Sequence, residues 1–262
     1  MDQPSDQSIA LSQPPKTHVL GVPVHLLDDY GAWLWHRVQQ GKPAHVVTLN
    51  AEMAMQAEQN SELADMIRRA ELVVPDGAGV VLYLRLRNQA IQRCPGIELA
   101  ESLIRQMGTS SEWRLEDDAE DGPSLFFYGG APGVTDAVAQ RWKAQLPHLK
   151  VAGAAHGYIS PEEQEALCDR LKREQPAVIL VGLGVPRQEF WIDHHRHLCP
   201  NSVWIGVGGS FDIWAGTKTR APGWLRNNNL EWSYRLYKEP WRWRRMLVLP
   251  QFAWRSVMTL WR

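Results

Sequence analysis

The amino-acid sequence predicts an α/β protein with a Rossmann-like, mostly parallel sheet, helices on both faces and a helical C-terminal appendage. Short apolar, β-branched segments alternate with amphipathic segments from about residue 17 to residue 216, as strands alternate with crossover helices in such folds. Polar or glycine-rich residues follow several of the apolar segments. Ligands of open α/β sheets bind at the carboxyl ends of the strands, so these residues are the first candidates for a site.

Six apolar segments are predicted to form the strands: 45–49, 71–74, 125–128, 148–155, 177–183 and 202–208. Amphipathic segments predict the helices: 29–40, 51–59, 61–69, 97–107, 133–145, 161–174 and 187–197. The helix over 161–174 has the clearest beginning. Ser160 and Glu163 form a capping box there, and Pro161 occupies the first helical position.

The chain is predicted to divide into three parts. Residues 1–16 are polar and lack periodicity, which indicates a disordered leader. Residues 17–216 carry the α/β pattern and form the main domain. Residues 217–262 lack that pattern and form the C-terminal appendage, for which we expect short helices over 228–238, 240–249 and 251–261, separated at Pro240 and Pro250.

The C-terminal appendage differs strongly in charge from the rest of the chain. The whole chain has a net charge of −1, yet residues 220–262 contain nine Arg and Lys against two Glu. The same stretch holds six of the 13 tryptophans. Indoles favour the headgroup level of a bilayer and guanidiniums pair with phosphate, so this composition indicates an anionic membrane surface as a partner. A tail packed on its own domain is the alternative.

Several classes of protein are disfavoured by composition. No apolar stretch approaches the roughly 20 residues that span a bilayer, and the N-terminus does not resemble a signal peptide. We therefore expect a cytoplasmic protein, peripheral on the inner face of the membrane, without a nucleic-acid partner. The three cysteines are widely spaced and predict neither a disulfide framework nor a zinc site. The oligomeric state stays open, a homo-oligomer included.

Two strand ends carry the candidate catalytic residues. Thr48 and Asn50 lie at the end of the first predicted strand, and Asp76 follows the second strand beside Gly77 and Gly79. A carboxylate among glycines at a strand end can face a cleft and accept a proton from a hydroxyl. Asp-Gly is also a common turn dipeptide, so a turn residue is the alternative for Asp76.

Glycines follow two further strands. The segment LFFYGGAPG at 125–133 offers backbone amides at a helix start, where a phosphate can bind, although a tight turn explains it equally well. The segment VGLGVPRQEFW at 181–191 places Gln188 and Glu189 after a strand. These two residues either bind sugar or base hydroxyls or cap the helix that follows.

A third glycine-rich strand end is GVGGSFDIWAG at 206–216, which adds Gly208, Gly209 and an exposed Asp212 as candidates. Five polar or glycine-rich strand ends in one sheet predict a nucleotide-type cleft. No metal is expected, because the acidic segment 109–123 lies far from any strand end and lacks the Asp-x-Asp pair of many sugar-nucleotide enzymes.

The order and the amino-acid sequences of these segments resemble the WecG/TagA/CpsF family of glycosyltransferases, from about His18 to Arg245. The segments are TLNAE, PDGAG, RCPGIEL, GVPRQE, GVGGSFDIWAG, RAPGW and LEWSYRLYKEPWRWRR. The resemblance implies an inverting hexosyltransferase that needs neither metal nor cofactor. Its implied partners are a UDP-sugar donor, with ManNAc, ManNAcA, glucose or a similar sugar, and an undecaprenyl-diphosphate-linked acceptor in cell-envelope or exopolysaccharide biosynthesis.

The resemblance also implies roles for individual residues. The family's Thr-x-Asn motif falls on Thr48 and Asn50, its proposed catalytic Asp on Asp76, and the Gln of its G-x-P-x-Q-E motif on Gln188. The arginine of its R-x-x-G segment falls on Arg93, although Pro95 and Glu98 replace the family's usual Ser and Asp. The arginines implied to meet a diphosphate are Arg235, Arg242 and Arg245.

Two other functions compete with this prediction. A non-catalytic, membrane-associated nucleotide-binding module would share the glycine-rich strand ends and the basic appendage. A nicotinamide-dependent oxidoreductase fits less well, because no strand-end acid follows a complete G-x-G-x-x-G at the expected distance. Release of UDP that depends on a lipid-linked acceptor distinguishes all three.

Overall fold

The computed structural model describes residues 14–110 and 122–259 and contains two sheets. A small antiparallel hairpin precedes a parallel sheet of six strands with the order β4-β3-β8-β7-β5-β6. The strands are β1 (Lys16–Val19), β2 (Val22–His25), β3 (Ala44–Leu49), β4 (Leu72–Pro75), β5 (Leu125–Gly129), β6 (Val151–Ala155), β7 (Val178–Gly182) and β8 (Val203–Gly206).

Helices surround the parallel sheet. Those of the main domain are α1 (Tyr30–Gln39), α2 (Ala51–Gln59), α3 (Ser61–Arg69), α4 (Ala78–Arg85), α5 (Gly96–Thr109), α6 (Val134–Gln145), α7 (Pro161–Glu174), α8 (Arg187–His195) and α9 (Ser210–Ala215). The C-terminal appendage contains α10 (Gly223–Asn227), α11 (Glu231–Lys238), α12 (Trp243–Met246) and α13 (Val248–Met258).

Both faces of the parallel sheet are buried, which explains why its strands are apolar at nearly every position. In β7, Val178 and Leu180 belong to the larger core cluster, whereas Ile179 and Val181 belong to the smaller one. This alternation follows from the two-residue period of a strand, which sends successive side chains to opposite faces. The fold class predicted from the sequence is confirmed.

Several elements were not predicted. One of them is the hairpin of β1 and β2, in which Leu20 and Gly21 take positive φ angles at the turn. The short helices α4, α9 and α10 are the others. Helix α4 has the apolar, β-branched sequence AGVVLYLR, which gives no amphipathic period, and the other two helices are too short for a period to emerge.

Two expectations for the C-terminal appendage were wrong. Pro250 does not separate two helices but lies in the first turn of α13, where its missing N–H costs no intrahelical hydrogen bond. The helix expected over 240–249 is instead a 3-10 turn at Pro240–Arg242 followed by α12 and the start of α13. The break at Pro240 is confirmed. Most of the predicted leader and of the acidic segment, and Trp261, lie outside the described residues.

Helix α13 packs on the main domain beside the ends of β3 and β4. Phe252 is buried against Tyr83 of α4, with 6.1 Å between the ring centroids. Arg87 donates a hydrogen bond of 2.9 Å to the carbonyl of Thr259 at the end of the same helix. Among the helices of residues 14–110 and 122–259, none is both long and apolar enough to cross a bilayer.

Candidate active site

Asp76 lies at the carboxyl end of β4, directly beside the end of β3. Its N–H donates to the carbonyl of Leu49 at 3.0 Å, which joins the two strand ends. Gly77 follows at the beginning of α4, where a Cβ atom would come within 3.0 Å of the Cβ of Asn50. Glycine therefore allows the close approach of the two loops and leaves the Asp76 carboxyl 27% exposed.

The Asp76 carboxyl has a mixed electrostatic environment. Arg93 donates from Nε to the Asp76 carbonyl at 2.5 Å, and its terminal nitrogen lies 3.7 Å from the carboxyl group. Burial raises the pKa of Asp76 above its usual value, while Arg93, Arg235 and the amide of Gly96 act in the opposite direction. The site thus holds a carboxylate of raised basicity that still reaches solvent.

Thr48 and Asn50 lie next to Asp76, as predicted, but both have partners within the protein. Thr48 is buried, donates to the carbonyl of Gly206 at 3.3 Å and packs so tightly that a Cβ on Gly96 would lie 2.7 Å from its methyl group. Asn50 caps α2 by accepting from the N–H of Met53 at 3.0 Å. Its side-chain amide nitrogen makes no hydrogen bond to the residues that the structure describes.

Gln188 and Glu189 are buried at the start of α8 rather than exposed in a cleft. The Gln188 side-chain oxygen accepts from the N–H groups of Gly184, at 3.2 Å, and Gly208, at 3.0 Å. Its side-chain nitrogen donates to Glu189 at 2.7 Å. Gln188 therefore holds the loops after β7 and β8 together, and Gln188 is buried whereas Gly208 is partly exposed.

Glu189 is fully buried, and one of its carboxyl oxygens has no hydrogen-bond partner in the described structure. Burial raises the pKa of Glu189 to about 7, partly offset by the hydrogen bond from Gln188. A Cβ on Gly206 would collide with the Gln188 amide at 2.5 Å, so glycine at the end of β8 makes room for this pair.

Gly209 and Asp212 lie after β8. Gly209 precedes the first residue of α9 and has open space where a side chain would point. Asp212 was expected to be exposed, but it lies on α9 and forms an ion pair of 3.0 Å with Lys218. Lys218 also contacts Glu239 of the C-terminal appendage at 3.1 Å.

The three predicted arginines of the C-terminal appendage all face carboxylates. Arg245 donates twice to Glu52 in the first turn of α2, at 2.7 and 2.8 Å. Arg242 pairs with Glu239 within its own segment. Arg235 is half exposed and lies 3.7 Å from Glu231. Glu52 follows Asn50 by two residues, so the structure brings Arg245 to the Asp76 side of the sheet.

Glu231, the first residue of α11, is a candidate site residue that was not predicted from the sequence. It is buried and accepts a 2.9 Å hydrogen bond from Arg93, with Arg220 and Arg235 at 3.6 and 3.7 Å. The available signal was an acidic residue between apolar neighbours in an otherwise basic segment. Together, Asp76, Arg93, Glu231 and Arg235 form what we call the Asp76 cluster.

A cleft of about 720 Å³ opens on the side of the sheet covered by α7 and α8. It lies at the carboxyl ends of β5 and β7, away from Asp76. Its lining includes Tyr128, Gly157, Leu183, Arg187, Trp191 and His194. Within the described residues no group of three or more His, Cys, Asp or Glu side chains is arranged to hold a metal ion.

Comparison with known proteins agrees with the arrangement of these motifs. The model of the family described as "Glycosyl transferase WecG/TagA/CpsF family" matches residues 17–262. The chain belongs to this family. It is therefore a glycosyltransferase, and the resemblance noted from the sequence motifs is confirmed.

Two curated relatives carry the name N-acetylglucosaminyldiphosphoundecaprenol N-acetyl-beta-D-mannosaminyltransferase. The protein from Bacillus subtilis (strain 168) is 35% identical over 219 residues, which cover 83% of this chain and 80% of the relative. The protein from Bacillus spizizenii (strain ATCC 23059 / NRRL B-14472 / W23) is 36% identical over 217 residues, or 82% and 79% of the two chains.

Proposed function

We propose that this glycosyltransferase moves N-acetylmannosamine or a closely related hexose from a UDP donor to an undecaprenyl-diphosphate-linked N-acetylglucosamine in cell-envelope polysaccharide synthesis. The names of the two relatives support the sugar and the acceptor. The observation that carries the proposal is Asp76, a partly exposed carboxyl of raised pKa at a strand end, surrounded by arginines.

The proposed reaction is a single displacement. Asp76 accepts the proton of an acceptor hydroxyl as that oxygen attacks the anomeric carbon, and the bond from this carbon to the UDP oxygen breaks with its electron pair leaving on UDP. Attack opposite the leaving group inverts the anomeric configuration. Burial favours this step because a carboxylate of raised pKa takes up a proton more readily.

The leaving diphosphate needs positive charge, which the C-terminal appendage can supply. Arg242 and Arg245 hold single carboxylates in this structure, at Glu239 and Glu52. A guanidinium has five N–H donors in a planar fork, so each can keep its carboxylate and still bind a phosphate oxygen. Arg235 belongs to the Asp76 cluster and is half exposed, which suits the same role.

The donor is proposed to lie across the strand ends, with its sugar near Asp76 and its nucleotide toward β8 and β7. The open space beside Gly208 and Gly209 suits a diphosphate or ribose, and the hydrogen bond from the Gly208 N–H to Gln188 holds this loop in position. Asp212 can accept from sugar or base hydroxyl and N–H groups on the same side, since its carboxyl keeps 25% exposure.

We further propose that the C-terminal appendage binds an anionic membrane surface, which brings the site to its lipid-linked acceptor. In the described part of the chain, every large, exposed apolar side chain except Tyr158 lies in the appendage or at α4. They are Leu82, Leu86, Trp224, Leu230, Trp232, Tyr237, Trp241, Trp243, Leu247, Trp254, Val257 and Met258. Such a concentration next to basic residues is typical of interfacial binding.

The test is acceptor-dependent release of UDP. The purified protein is incubated with UDP-N-acetylmannosamine and a lipid-linked N-acetylglucosaminyl diphosphate in detergent, with UDP-glucose and UDP-N-acetylmannosaminuronic acid as competing donors. Release with one donor, only when the acceptor is present, supports the proposal. If nucleotide binds but none of these donors is consumed with this acceptor, the proposed donor and acceptor are wrong.

The same assay tests metal independence. We expect activity to survive EDTA, because the arginines take the place of a cation at the diphosphate. Loss of activity on chelation, restored by magnesium or manganese, would show instead that a divalent ion takes part.

A further inference from the structure

Within the described residues of the appendage, Glu231 is the only acidic residue that belongs to the Asp76 cluster. Its side chain is 8% exposed, and three arginines from three different segments surround it. Arg93 belongs to the loop before α5, Arg220 precedes α10, and Arg235 lies one turn further along α11. A buried carboxylate with this many cationic partners is retained at a considerable desolvation cost, which suggests a specific task.

The task is indicated by the position of Arg93, which contacts Glu231 and Asp76 at once. One terminal nitrogen of Arg93 lies 2.9 Å from Glu231 but 3.7 Å from the Asp76 carboxyl. Its Nε is bound to the carbonyl of Asp76 rather than to the carboxyl. Glu231 thus takes the shorter ion pair, and the Asp76 carboxyl keeps only the longer one.

We propose that Glu231 is a positioning residue that draws the Arg93 guanidinium away from the Asp76 carboxyl, so that Asp76 stays free to accept a proton when the C-terminal appendage is docked. The inference rests on the proposed role of Asp76 as the general base. It extends that role, because it makes the basicity of Asp76 depend on a residue of the appendage.

The charges around both carboxyls support this arrangement. Asp76 is faced by Arg93, Arg235 and Glu231, by the Cys94 thiol and by the amide of Gly96. Glu231 is faced by Arg93, Arg220 and Arg235, and Arg220 is shared with Glu98 at 2.6 Å. Burial alone would raise the pKa of Glu231, but the Arg93 hydrogen bond and the arginine charges lower it below its usual value. Glu231 therefore stays ionised at neutral pH.

Neutralising Glu231 should weaken the base in two ways. Arg93 loses its closer partner and can pair fully with Asp76, and the repulsion between the two carboxylates disappears. Both changes lower the pKa of Asp76. A base of lower pKa ionises at lower pH but accepts a proton less readily in the transition state.

The experiment compares pH–rate profiles of three full-length variants. Glu231→Gln removes the charge with little change in shape, and we expect a kcat about tenfold lower at neutral pH, with the acid limb of kcat/KM moved to lower pH. Glu231→Asp keeps the charge and should retain the wild-type acid limb. Glu58→Gln is the matched control, because Glu58 also pairs with an appendage arginine, Arg255 at 3.6 Å, but lies outside the Asp76 cluster.

Each outcome has one meaning. An acid limb that stays in place in Glu231→Gln, in a protein that melts like the wild type, overturns the positioning role. A fall in kcat without a limb shift, matched by Glu58→Gln, shows that only docking of the appendage matters. Asp76→Asn is measured in the same series. Normal turnover in that variant removes the general base itself, whereas an inactive Asp76→Asn beside an unshifted Glu231→Gln removes only the positioning role.

Discussion

The two halves of the strand-end surface are built in different ways. At β7 and β8, Gln188 and Glu189 form a buried network whose partners all belong to the main domain. At β3 and β4, the carboxyl of Asp76 is partly exposed, and the groups around it come from both the main domain and the C-terminal appendage. The first half is scaffolding held by buried hydrogen bonds, and the second contains the proposed general base.

This difference separates two requirements of a transferase acting on a lipid-linked acceptor. In the proposed reaction, a loop pair held by buried hydrogen bonds is preorganised for the soluble donor before the protein reaches the membrane. A cluster completed by a basic, tryptophan-rich appendage can be coupled to the surface on which the acceptor lies. Donor binding should therefore respond to changes at Gln188 and Glu189, and turnover to changes around Asp76.

The largest effect is expected from Asp76→Asn. Asparagine keeps the shape but cannot accept the proton, so turnover should fall roughly a hundredfold or more while the donor still binds. Turnover is followed as UDP release and donor binding by calorimetry. Asp169→Asn is the control, because Asp169 is an exposed carboxylate on α7 whose one ion pair within residues 14–110 and 122–259 is with Lys172, at 3.2 Å. Near-normal turnover in Asp76→Asn would remove Asp76 from the mechanism.

The second-largest effect on activity is expected from the double variant Arg242→Gln and Arg245→Gln. Hydrogen bonds to charged groups are worth about 1.5–3 kcal/mol each, so losing one at the diphosphate should lower kcat/KM about tenfold or more. The assay uses a short-chain acceptor in detergent, which removes any need for a membrane. Arg255→Gln serves as the control on the same segment. Equal activity of all variants on this acceptor would limit the arginines to membrane binding.

Much of the fold could be predicted because it depends on local patterns. A parallel sheet buried on both faces requires apolar strands such as VILVG of β7, and a capping box such as that at Ser160 marks a helix start directly. Helix α4 could not be predicted in this way. Its position depends on the packing of Tyr83 against Phe252, a residue 169 positions later in the chain, and local sequence does not record such contacts.

The proximity of the candidate site residues could be predicted from the sequence, but their contacts could not. Thr48, Asn50 and Asp76 do lie together, because adjacent parallel strands end at the same edge. That Gln188 binds loop amides, rather than facing the cleft, depends on the spacing between the loops after β7 and β8. The proposed role of Glu231 depends on docking of the C-terminal appendage, which the sequence motifs do not specify.

A stability measurement tests the scaffold half. Because the pKa of Glu189 is raised to about 7, its carboxyl favours the folded state below its usual pKa and loses that contribution as the pH rises toward 7 and above. Glu189→Gln removes the ionisation. Between about pH 4.5 and 8 the wild type should lose about 1–3 kcal/mol of unfolding free energy relative to this variant. The unfolding free energies of both proteins are measured by urea denaturation across this pH range. If they change with pH in the same way, Glu189 does not titrate there.

The smallest effect is expected at α4, where the main domain itself should touch the membrane. Leu82 and Leu86 are 58% and 50% exposed on one face of α4 and its C-cap, and Arg87 ties this end of the helix to the end of α13. If this face inserts at the headgroup level beside Trp254, replacing both leucines by Gln should lower affinity for anionic vesicles roughly fivefold.

The control is the double variant Leu82→Met and Leu86→Met, which keeps the apolar area and should bind like the wild type. This loss of vesicle affinity should be the same in high salt, because salt does not screen apolar contacts. The effect of replacing appendage arginines should instead become smaller in high salt, because salt screens their charges. Unchanged vesicle binding by the Gln variant would restrict the membrane-binding surface of the protein to the C-terminal appendage. Leu82 and Leu86 would then make no contact with lipid.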